Sequence, residues 1–317
     1  MGDNMVLKDI RVVFMGTPTF AVPILESLIE SYNVVMVVCQ PDRKKDRKGN
    51  IENPETKVVA IEHNIEVFQP IKIREEYQKV IDCAPDIIIT CAYGQIIPDI
   101  ILNYPKYGCI NVHGSLLPEL RGGAPIHWAI IRGYKETGIT IMDMSSKMDA
   151  GDIIAQAKIE IDDNMILDDL YQKMSYLGRN LLIKTLPSII DGSCVRVKQD
   201  EDKVTFGYNI KKEETKIDFS KTGREIRNLI RGLNTVPAAY CYLDNKRVKI
   251  YEVDILEGNN SNNYGEIVRV DKDGFVCVVG DGLIKVKDLA IEGKKRCKAS
   301  EYINGVKKEE LIGKVLK

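Results

Sequence analysis

The 317-residue sequence has no apolar run of about 18 residues, the length that a helix needs to cross a membrane. Its first residues include Asp3, Lys8 and Asp9 and no long apolar core, which argues against a signal peptide. We therefore expect a cytoplasmic protein with no membrane segment. The apolar fraction of 44% and the charged fraction of 29% are ordinary for a globular protein, and the length suits two domains.

Ligands for a structural metal are also scarce. The sequence has three histidines, and no two of its eight cysteines have the C-x-x-C spacing. Structural zinc sites need such clusters, so we predict no metal site. Most of the cysteines lie in or beside apolar runs, and we expect buried thiols rather than disulfides.

The glycine fingerprint of dinucleotide sites is missing. A G-x-G-x-x-G pattern would be expected in the turn after the first apolar strand, but the residues there are Gly16-Thr17-Pro18. A single glycine with proline at the third position argues against NAD binding. The turn is expected to be a plain tight turn that lines a substrate cleft at most.

Apolar strands and amphipathic helices alternate through residues 1–191. Segments such as Val34–Cys39 and Asp86–Cys91 are apolar almost throughout, which predicts parallel strands covered on both faces. Helical spacing is found at Pro18–Glu30 and, over a longer stretch, at Asn164–Asp191. The pattern predicts a doubly wound, mainly parallel, Rossmann-like α/β domain.

The pattern changes after residue 191. Residues 192–208 are polar and rich in turn formers, and we expect them to be a linker. Short alternating strands, separated by turns such as Asp273-Gly274, then predict a small OB-like β-barrel domain over 209–317. From Phe206 onward there are 22 basic and 17 acidic residues, against 23 and 29 before it. This mild contrast suits an anionic partner for the C-terminal part.

A polar pair ends the strand predicted at Cys109–His113. Asn111 and His113 are two residues apart, so their side chains point to the same side of the strand. The strand runs into a loop rich in glycine and proline, and the carboxyl edge of an open α/β sheet is where ligands bind. The pair therefore predicts a functional site, although a single histidine in such a place is often structural.

Two aspartates, Asp149 and Asp152, close a loop between the next two predicted strands. Either carboxylate could face the same cleft, and either could cap its own turn. The residues alone leave this choice open.

Longer motifs make the chain similar to the folate-dependent formyltransferase family, over nearly its whole length. The motifs are MGTPTFAVP at 15–23, QPDR at 40–43, CAYGQIIP at 91–98, CINVHGSLLPELRGGAPI at 109–126, MDAGDI at 148–153, GYNIKKEETKIDFS at 207–220 and DGLIKVKDLAIEGKKR at 281–296. The resemblance implies a formyltransferase-type catalytic domain and points to the members that formylate methionyl initiator tRNA for translation initiation.

The resemblance also assigns catalytic roles. In this family an asparagine, a histidine two residues later and an aspartate in the following strand–loop–strand form the catalytic set, which Asn111, His113 and Asp149 match. The DAGD context favours Asp149 over Asp152. An amide can donate a hydrogen bond to a developing oxyanion, and a histidine exchanges protons near neutral pH. A carboxylate beside the ring favours its charged form.

The implied formyl donor is 10-formyltetrahydrofolate, with no metal. The resemblance places the folate against two loops. The expected folate-binding residues are Tyr93, Gly94 and Ile97 in the first loop, and Ser115, Leu116, Leu117 and Pro118 in the second.

The implied acceptor is methionyl initiator tRNA, and basic residues are expected to bind its phosphates. Arg47 falls at the position of a key arginine of the family, in the loop 40–57, where Lys-Lys-Asp-Arg-Lys-Gly replaces the family's usual proline- and glycine-containing core. The expected tRNA-binding residues are Arg43, Lys44, Lys45, Arg47, Lys48, Lys294, Lys295 and Arg296. The family is mostly monomeric, and we expect a monomer.

Other functions share parts of this pattern. A sugar-amine N-formyltransferase or a 10-formyltetrahydrofolate hydrolase-type enzyme would have the same catalytic core, but the basic loop and the barrel favour tRNA. The predicted barrel also disfavours a purine-pathway formyltransferase. A catalytically silent RNA-binding module is disfavoured by the intact catalytic set.

Overall fold

The computed structural model describes residues 7–44, 51–258 and 263–317. It divides into two compact units. The first extends to Pro125 and also includes Thr137–Glu160 and Tyr171–Tyr208. The second consists of Ile126–Glu136, Ile161–Leu170 and Asn209–Lys317, so it includes two short stretches that precede residue 209.

The first unit is built on a seven-stranded sheet, and a separate two-stranded ribbon lies near its start. The strands are β1 (Arg11–Gly16), β2 (Asn33–Val38), β3 (Arg43–Lys44), β4 (Ile51–Glu52), β5 (Glu66–Phe68), β6 (Ile87–Cys91), β7 (Cys109–His113), β8 (Glu136–Asp143) and β9 (Ile153–Glu160). The sheet order is β5-β2-β1-β6-β7-β8-β9, and β3 pairs with β4 in the ribbon.

The pairing confirms the predicted parallel core. Strands β5, β2, β1, β6 and β7 are joined by parallel pairs, whereas β8 pairs antiparallel with β7. The parallel strands are apolar because helices cover both faces: all five residues of β6 are buried. The sheet is therefore mainly parallel, as the continuous apolar runs indicated.

The described residues contain eight α-helices. They are α1 (Val22–Ser31), α2 (Glu55–Glu62), α3 (Gln78–Asp82), α4 (Asp99–Leu102), α5 (Pro125–Ile131), α6 (Leu167–Ile190), α7 (Gly223–Gly232) and α8 (Ala299–Asn304). The first helix begins later than its apolar spacing predicts, because the preceding turn at Thr19–Ala21 is 3-10 helical. The short helices α4 and α8 were not predicted, since neither is long enough to show a helical period.

The stretch expected to be a linker, 192–208, is part of the first unit. Val197 and Ile153 exchange two backbone hydrogen bonds at 2.8 and 2.9 Å. Further along, Gly207 donates to the carbonyl of Arg121 and accepts from the amide of Ala124, both at 2.8 Å. Polar and turn-forming residues here mark an irregular segment that packs through backbone hydrogen bonds rather than through an apolar face.

The second unit contains a six-stranded antiparallel sheet. Its strands are β10 (Ala239–Leu243), β11 (Lys246–Leu256), β12 (Ile267–Val270), β13 (Phe275–Val279), β14 (Gly282–Ile291) and β15 (Cys297–Lys298). The order is β10-β11-β14-β13-β12, with β15 paired to β14. The preceding helix α7 starts with a capping box formed by Thr222 and Glu225.

The C-terminal segment closes this sheet into a barrel. Tyr242 on β10 and Lys317 exchange backbone hydrogen bonds at 2.7 and 2.9 Å, while Ile267 on β12 bonds to Gly313 and Lys314 at 2.8 Å. Both edge strands are thus paired with the same segment, which leaves neither edge open. The predicted barrel is confirmed.

Each unit has its own apolar core. In the first, residues such as Phe14, Ile24 and Ile88 have no exposed surface, and in the second Phe275 and Ile284 have none. All eight cysteines are free thiols. The expectation of burial is correct for five of them and wrong for the three that are only partly buried, Cys83, Cys194 and Cys297.

Candidate active site at the carboxyl end of β7

The last residues of β7 and its neighbour β6 carry the polar groups of the site. Thr90 on β6 lies opposite Asn111 in the parallel register, and its hydroxyl donates to Asn111 Oδ1 at 2.9 Å. The amide nitrogen of Asn111 donates to the carboxylate of Asp149 instead. It lies 3.4 Å from Asp149 Oδ1.

The imidazole of His113 lies between two acceptors. The side chain is almost fully buried, with Nε2 3.1 Å from the carbonyl oxygen of Leu120 and Nδ1 3.6 Å from Asp149 Oδ1. A carbonyl oxygen only accepts, so Nε2 carries a hydrogen. A doubly protonated ring can donate toward both acceptors, whereas the neutral ring can satisfy only one.

The carboxylate of Asp149 is held from the opposite side. Its Oδ2 accepts the backbone N–H of Gly122 at 2.8 Å, which leaves Oδ1 facing both Asn111 and His113. The structure therefore brings two side chains, those of Asn111 and His113, to one carboxylate oxygen of Asp149. Asp152 contributes a backbone carbonyl to the amide of Asp143 instead, at 3.0 Å.

The turn after β6 exposes backbone at two small residues. Ala92 and Gly94 are exposed and have positive φ angles of 50° and 88°. The side chains of Tyr93 and Ile97, expected to bind folate, are buried in the apolar core instead. The carbonyl of Tyr93 is held by Gln40 Nε2 at 3.0 Å. At this loop, the backbone, the small exposed positions and the side chain of Ile96, which is 87% exposed, remain for a ligand.

The second loop expected to bind folate, residues 115–118, also has both buried and accessible side chains. Ser115 and Leu117 are buried, and the hydroxyl of Ser115 donates to the carbonyl of Glu119 at 2.6 Å. Leu117 donates its amide to Thr140 Oγ1 at 3.1 Å. Leu116 and Pro118 are partly exposed. The buried pair maintains the shape of the loop, and the other two residues form its accessible surface.

The basic residues expected to bind tRNA lie in two regions. Arg43 is exposed on β3, Lys44 ends the same strand, and Lys45, Arg47 and Lys48 lie outside the described residues. In the second unit, Lys294 and Lys295 are exposed.

Arg296 differs from its two neighbours in already having partners. Its Nε lies 2.8 Å from Asp288 Oδ1, and its guanidinium stacks 4.1 Å from the ring centre of Tyr251. The carboxylate of Asp288 raises the pKa of Arg296 above its usual value. This side chain is therefore committed to the barrel surface.

Sequence reasoning missed three residues around the site. Thr90 is a single hydroxyl within an apolar strand, a pattern that could have marked it. Gln199 donates from Nε2 to the carbonyls of Asp149 and Gly151, each at 2.8 Å. The guanidinium of Arg121 donates two hydrogen bonds to Oε1 of the same Gln199 amide. Nothing local distinguishes Gln199, because it lies in the stretch interpreted as a linker.

Residues 7–44, 51–258 and 263–317 contain neither a membrane-spanning helix nor a metal-binding cluster. No helix there is both long and apolar enough to cross a membrane. No three His, Cys, Asp or Glu side chains in these ranges are grouped so that they could hold a metal ion.

Comparison with known proteins identifies the family. The formyl transferase profile matches residues 10–186, and the profile of the formyl transferase C-terminal domain matches 209–307. A methionyl-tRNA formyltransferase from Bacillus cytotoxicus is 51% identical over 304 residues, covering 95% of this chain and 97% of the relative. One from Bacillus cereus is 50% identical over the same coverage.

Solved structures share the fold at lower identity. An N-formyltransferase from Helicobacter canadensis, solved with folinic acid and dTDP-3-aminofucose, superposes with a TM-score of 0.65 at 21% identity, covering 87% of this chain and 98% of that one. A methionyl-tRNA formyltransferase from Clostridium thermocellum gives a TM-score of 0.56 at 17% identity, covering 89% and 98%. With two matching profiles and relatives at about half identity over nearly the full length, the chain belongs to the formyl transferase family, among the methionyl-tRNA formyltransferases.

Proposed function

We propose that Asn111, His113 and Asp149 catalyse transfer of the formyl group of 10-formyltetrahydrofolate to the amino group of methionyl initiator tRNA. The observation that carries this assignment is the position of Asp149 Oδ1, 3.4 Å from the Asn111 amide nitrogen and 3.6 Å from His113 Nδ1. All three groups lie at the carboxyl edge of the sheet, where ligands bind in open α/β folds.

Asn111 is assigned to the oxyanion. When an amine attacks a formyl carbon, negative charge develops on the formyl oxygen, and a fixed N–H donor stabilises it. The hydroxyl of Thr90 holds the amide oxygen, so the nitrogen is the atom presented to the substrate. A donor that is oriented before the reaction does not need to reorganise during it.

His113 and Asp149 are assigned to proton transfer. The attacking amine must lose a proton and the departing folate nitrogen must gain one, and a histidine can serve both steps near neutral pH. The carboxylate 3.6 Å from Nδ1 stabilises the ring while it is charged. As proposed, the reaction uses only protein side chains and needs no metal.

The two loops are assigned to the folate. Exposed backbone at Ala92 and Gly94, with positive φ angles, supports recognition of a flat polar ring by main-chain groups. Leu116 and Pro118 supply accessible apolar surface. We assign Tyr93, Ile97, Ser115 and Leu117 to shaping these loops, since their side chains are buried.

The basic residues on both units are assigned to the tRNA backbone. Lys294 and Lys295 are exposed and available to phosphates, as is Arg43. We assign Lys44, Lys45, Arg47 and Lys48 to the same role from the family resemblance alone. Arg296 is assigned to holding the barrel surface through Asp288. The resemblance also supports a monomer that works in the cytoplasm, with a catalytic domain to residue 191 and a tRNA-binding domain from residue 209.

A competition assay tests the substrate. The enzyme is incubated with 10-formyltetrahydrofolate, charged initiator tRNA and a free amino sugar, and formyl transfer to each acceptor is measured. We expect product on the tRNA only. Product on the sugar with none on the tRNA, or folate hydrolysis without transfer, would replace the proposal with one of the other core-sharing activities.

A variant pair tests the catalytic assignment. We expect His113→Ala to lower kcat/KM by about 10²–10⁴-fold while tRNA binding persists. His63→Ala is the control, because His63 is exposed on the same unit. Equal activity of the two variants would remove His113 from the mechanism.

A further inference from the structure

Asp149 adopts a backbone conformation that its surroundings must maintain. Its φ of 49° lies in the left-handed region, which residues other than glycine rarely adopt without support. The next glycine in the loop, Gly151, is packed so closely that a Cβ there would lie 1.8 Å from the carbonyl oxygen of Asp143. The loop that carries the carboxylate therefore has one tightly specified shape.

The amide of Gln199 holds that shape from behind. Its Nε2 donates to the carbonyl oxygens of Asp149 and Gly151, each at 2.8 Å. These two acceptors lie on either side of the turn, so a single NH₂ group holds both. Gln199 is 9% exposed, and water has little access to replace these bonds.

The other end of Gln199 is held by Arg121. Oε1 of Gln199 accepts hydrogen bonds from Nε and Nη2 of Arg121 at 3.0 and 2.9 Å. Arg121 is 5% exposed, and its outer end reaches the exposed carboxylate of Glu201 at 2.9 Å. A primary amide offers two hydrogens and two lone pairs, and this arrangement uses all four.

The same loop also contacts the carboxylate of Asp149. Gly122, the residue after Arg121, donates its backbone N–H to Asp149 Oδ2 at 2.8 Å. The 121–122 segment thus holds the side chain of Asp149 directly and its backbone through Gln199. Segment 192–208, to which Gln199 belongs, is part of the site for this reason.

We propose that Gln199 and Arg121 are positioning residues, which act through Asp149 to keep its carboxylate against His113 and Asn111. The proposal rests on the proposed function, in which Asp149 is catalytic. A displacement of about 1 Å at such a group can lower the rate by about a hundredfold. Gln199 therefore controls turnover without touching the substrate.

The test substitutes the amide and measures kcat and KM separately. Gln199→Glu keeps the size and the Arg121 pairing but turns a carboxylate oxygen toward two carbonyls. We expect kcat to fall by about 10–100-fold, with KM for tRNA and for folate within about threefold. Gln199→Met, which removes the donors without adding charge, should show the same split. Gln78→Glu, the same change at an exposed site on α3, should stay within about twofold of wild type.

A double variant separates positioning from a purely structural role. If Gln199 acts through Asp149, Asp149→Asn combined with Gln199→Glu should be no slower than Asp149→Asn alone in single turnover. Multiplied losses in the double variant, or a lowered Tm with unchanged kcat in both Gln199 variants, would overturn the proposal. Wild-type activity in Asp149→Asn alone would instead refute the catalytic role of Asp149, so the two failures are distinguishable.

Discussion

The two units use buried polar groups in different ways. In the first, several fully or nearly buried polar side chains bond to backbone carbonyls or to other side chains near one end of the sheet: Thr90, His113, Ser115, Arg121, Thr140 and Gln199. In the second, the barrel core is apolar and charged groups pair on its surface. Lys287 and Lys285, for example, lower the pKa of Asp273 to about 2. Buried Arg231 and Asn234 also bond to backbone carbonyls in this unit, but neither is among the residues that we assign to the reaction.

The difference separates positioning from stability. Surface ion pairs such as Lys287–Asp273 contribute little to folding, because water solvates both partners, so the barrel depends on its apolar core. Around the site, buried bonds such as those of Thr90 and Gln199 also fix the place of groups that we assign to the reaction. Changes in the barrel core should therefore mainly affect unfolding, and changes around the site should mainly affect rate.

The largest effect is expected in the barrel core. Phe275 has no exposed surface, and Phe275→Ala should lower the free energy of unfolding by about 3–5 kcal/mol. Urea unfolding measures this free energy. Ile312→Ala is the control, because Ile312 is half exposed and its truncation should lower the free energy of unfolding by less than about 1 kcal/mol. Similar losses for the two variants would mean that the barrel core is not tightly packed.

The next effect is expected in the Asp149 loop. Gly151→Ala places a Cβ within 1.8 Å of a backbone carbonyl, so the loop must move, and kcat/KM should fall about a hundredfold. Gly108→Ala, just before the amino end of β7, would place a Cβ with nothing within 4 Å, and only the positive φ of 79° is unfavourable for alanine. It should cost about 1 kcal/mol in stability and leave formylation nearly unchanged. Rapid formylation by Gly151→Ala would show that the loop tolerates movement.

A smaller effect is expected at Thr90. Thr90→Val removes the hydrogen bond to Asn111 Oδ1 with little change in volume, so the amide loses its fixed orientation. We expect kcat to fall about tenfold, equivalent to about 1.4 kcal/mol, with KM unchanged. Thr185→Val, at a buried hydroxyl on α6, is the matched control. Equal rates for the two variants would show that Asn111 is oriented without Thr90.

The smallest effect is expected from His127 on α5. Burial lowers the pKa of His127 below the ordinary 6.5. Just below pH 6.5, the imidazole is therefore protonated more in the unfolded chain than in the folded chain. Its contribution to stability is complete above about pH 6.5 and is lost as pH falls through the folded pKa. The unfolding free energy of wild type, measured at about pH 7.5 and about pH 5.5, should fall more than that of His127→Asn. Parallel pH profiles would contradict this.

Local patterns predicted much of the fold and part of the site. Continuous apolar runs indicate parallel strands because both faces are covered, and this held for β2 and β6. The spacing of Asn111 and His113 put both on one side of a strand for the same geometric reason. Tyr93 and Ile97 lie in the turn after β6, and their link to folate stays a prediction; the sequence did not show that their side chains turn into the core.

The amino-acid sequence was enough to predict the periodic apolar segments and the polar residues at strand ends, because both depend on residues that are close together in the chain. The hydrogen bond from Gln199 to the backbone of Asp149, and the closure of the barrel by residues 313–317, became visible only in the folded structure. These contacts join positions far apart in sequence, through hydrogen bonds between an amide or backbone group and backbone carbonyls. Such groups occur throughout the chain, so no local pattern indicates which of them will meet.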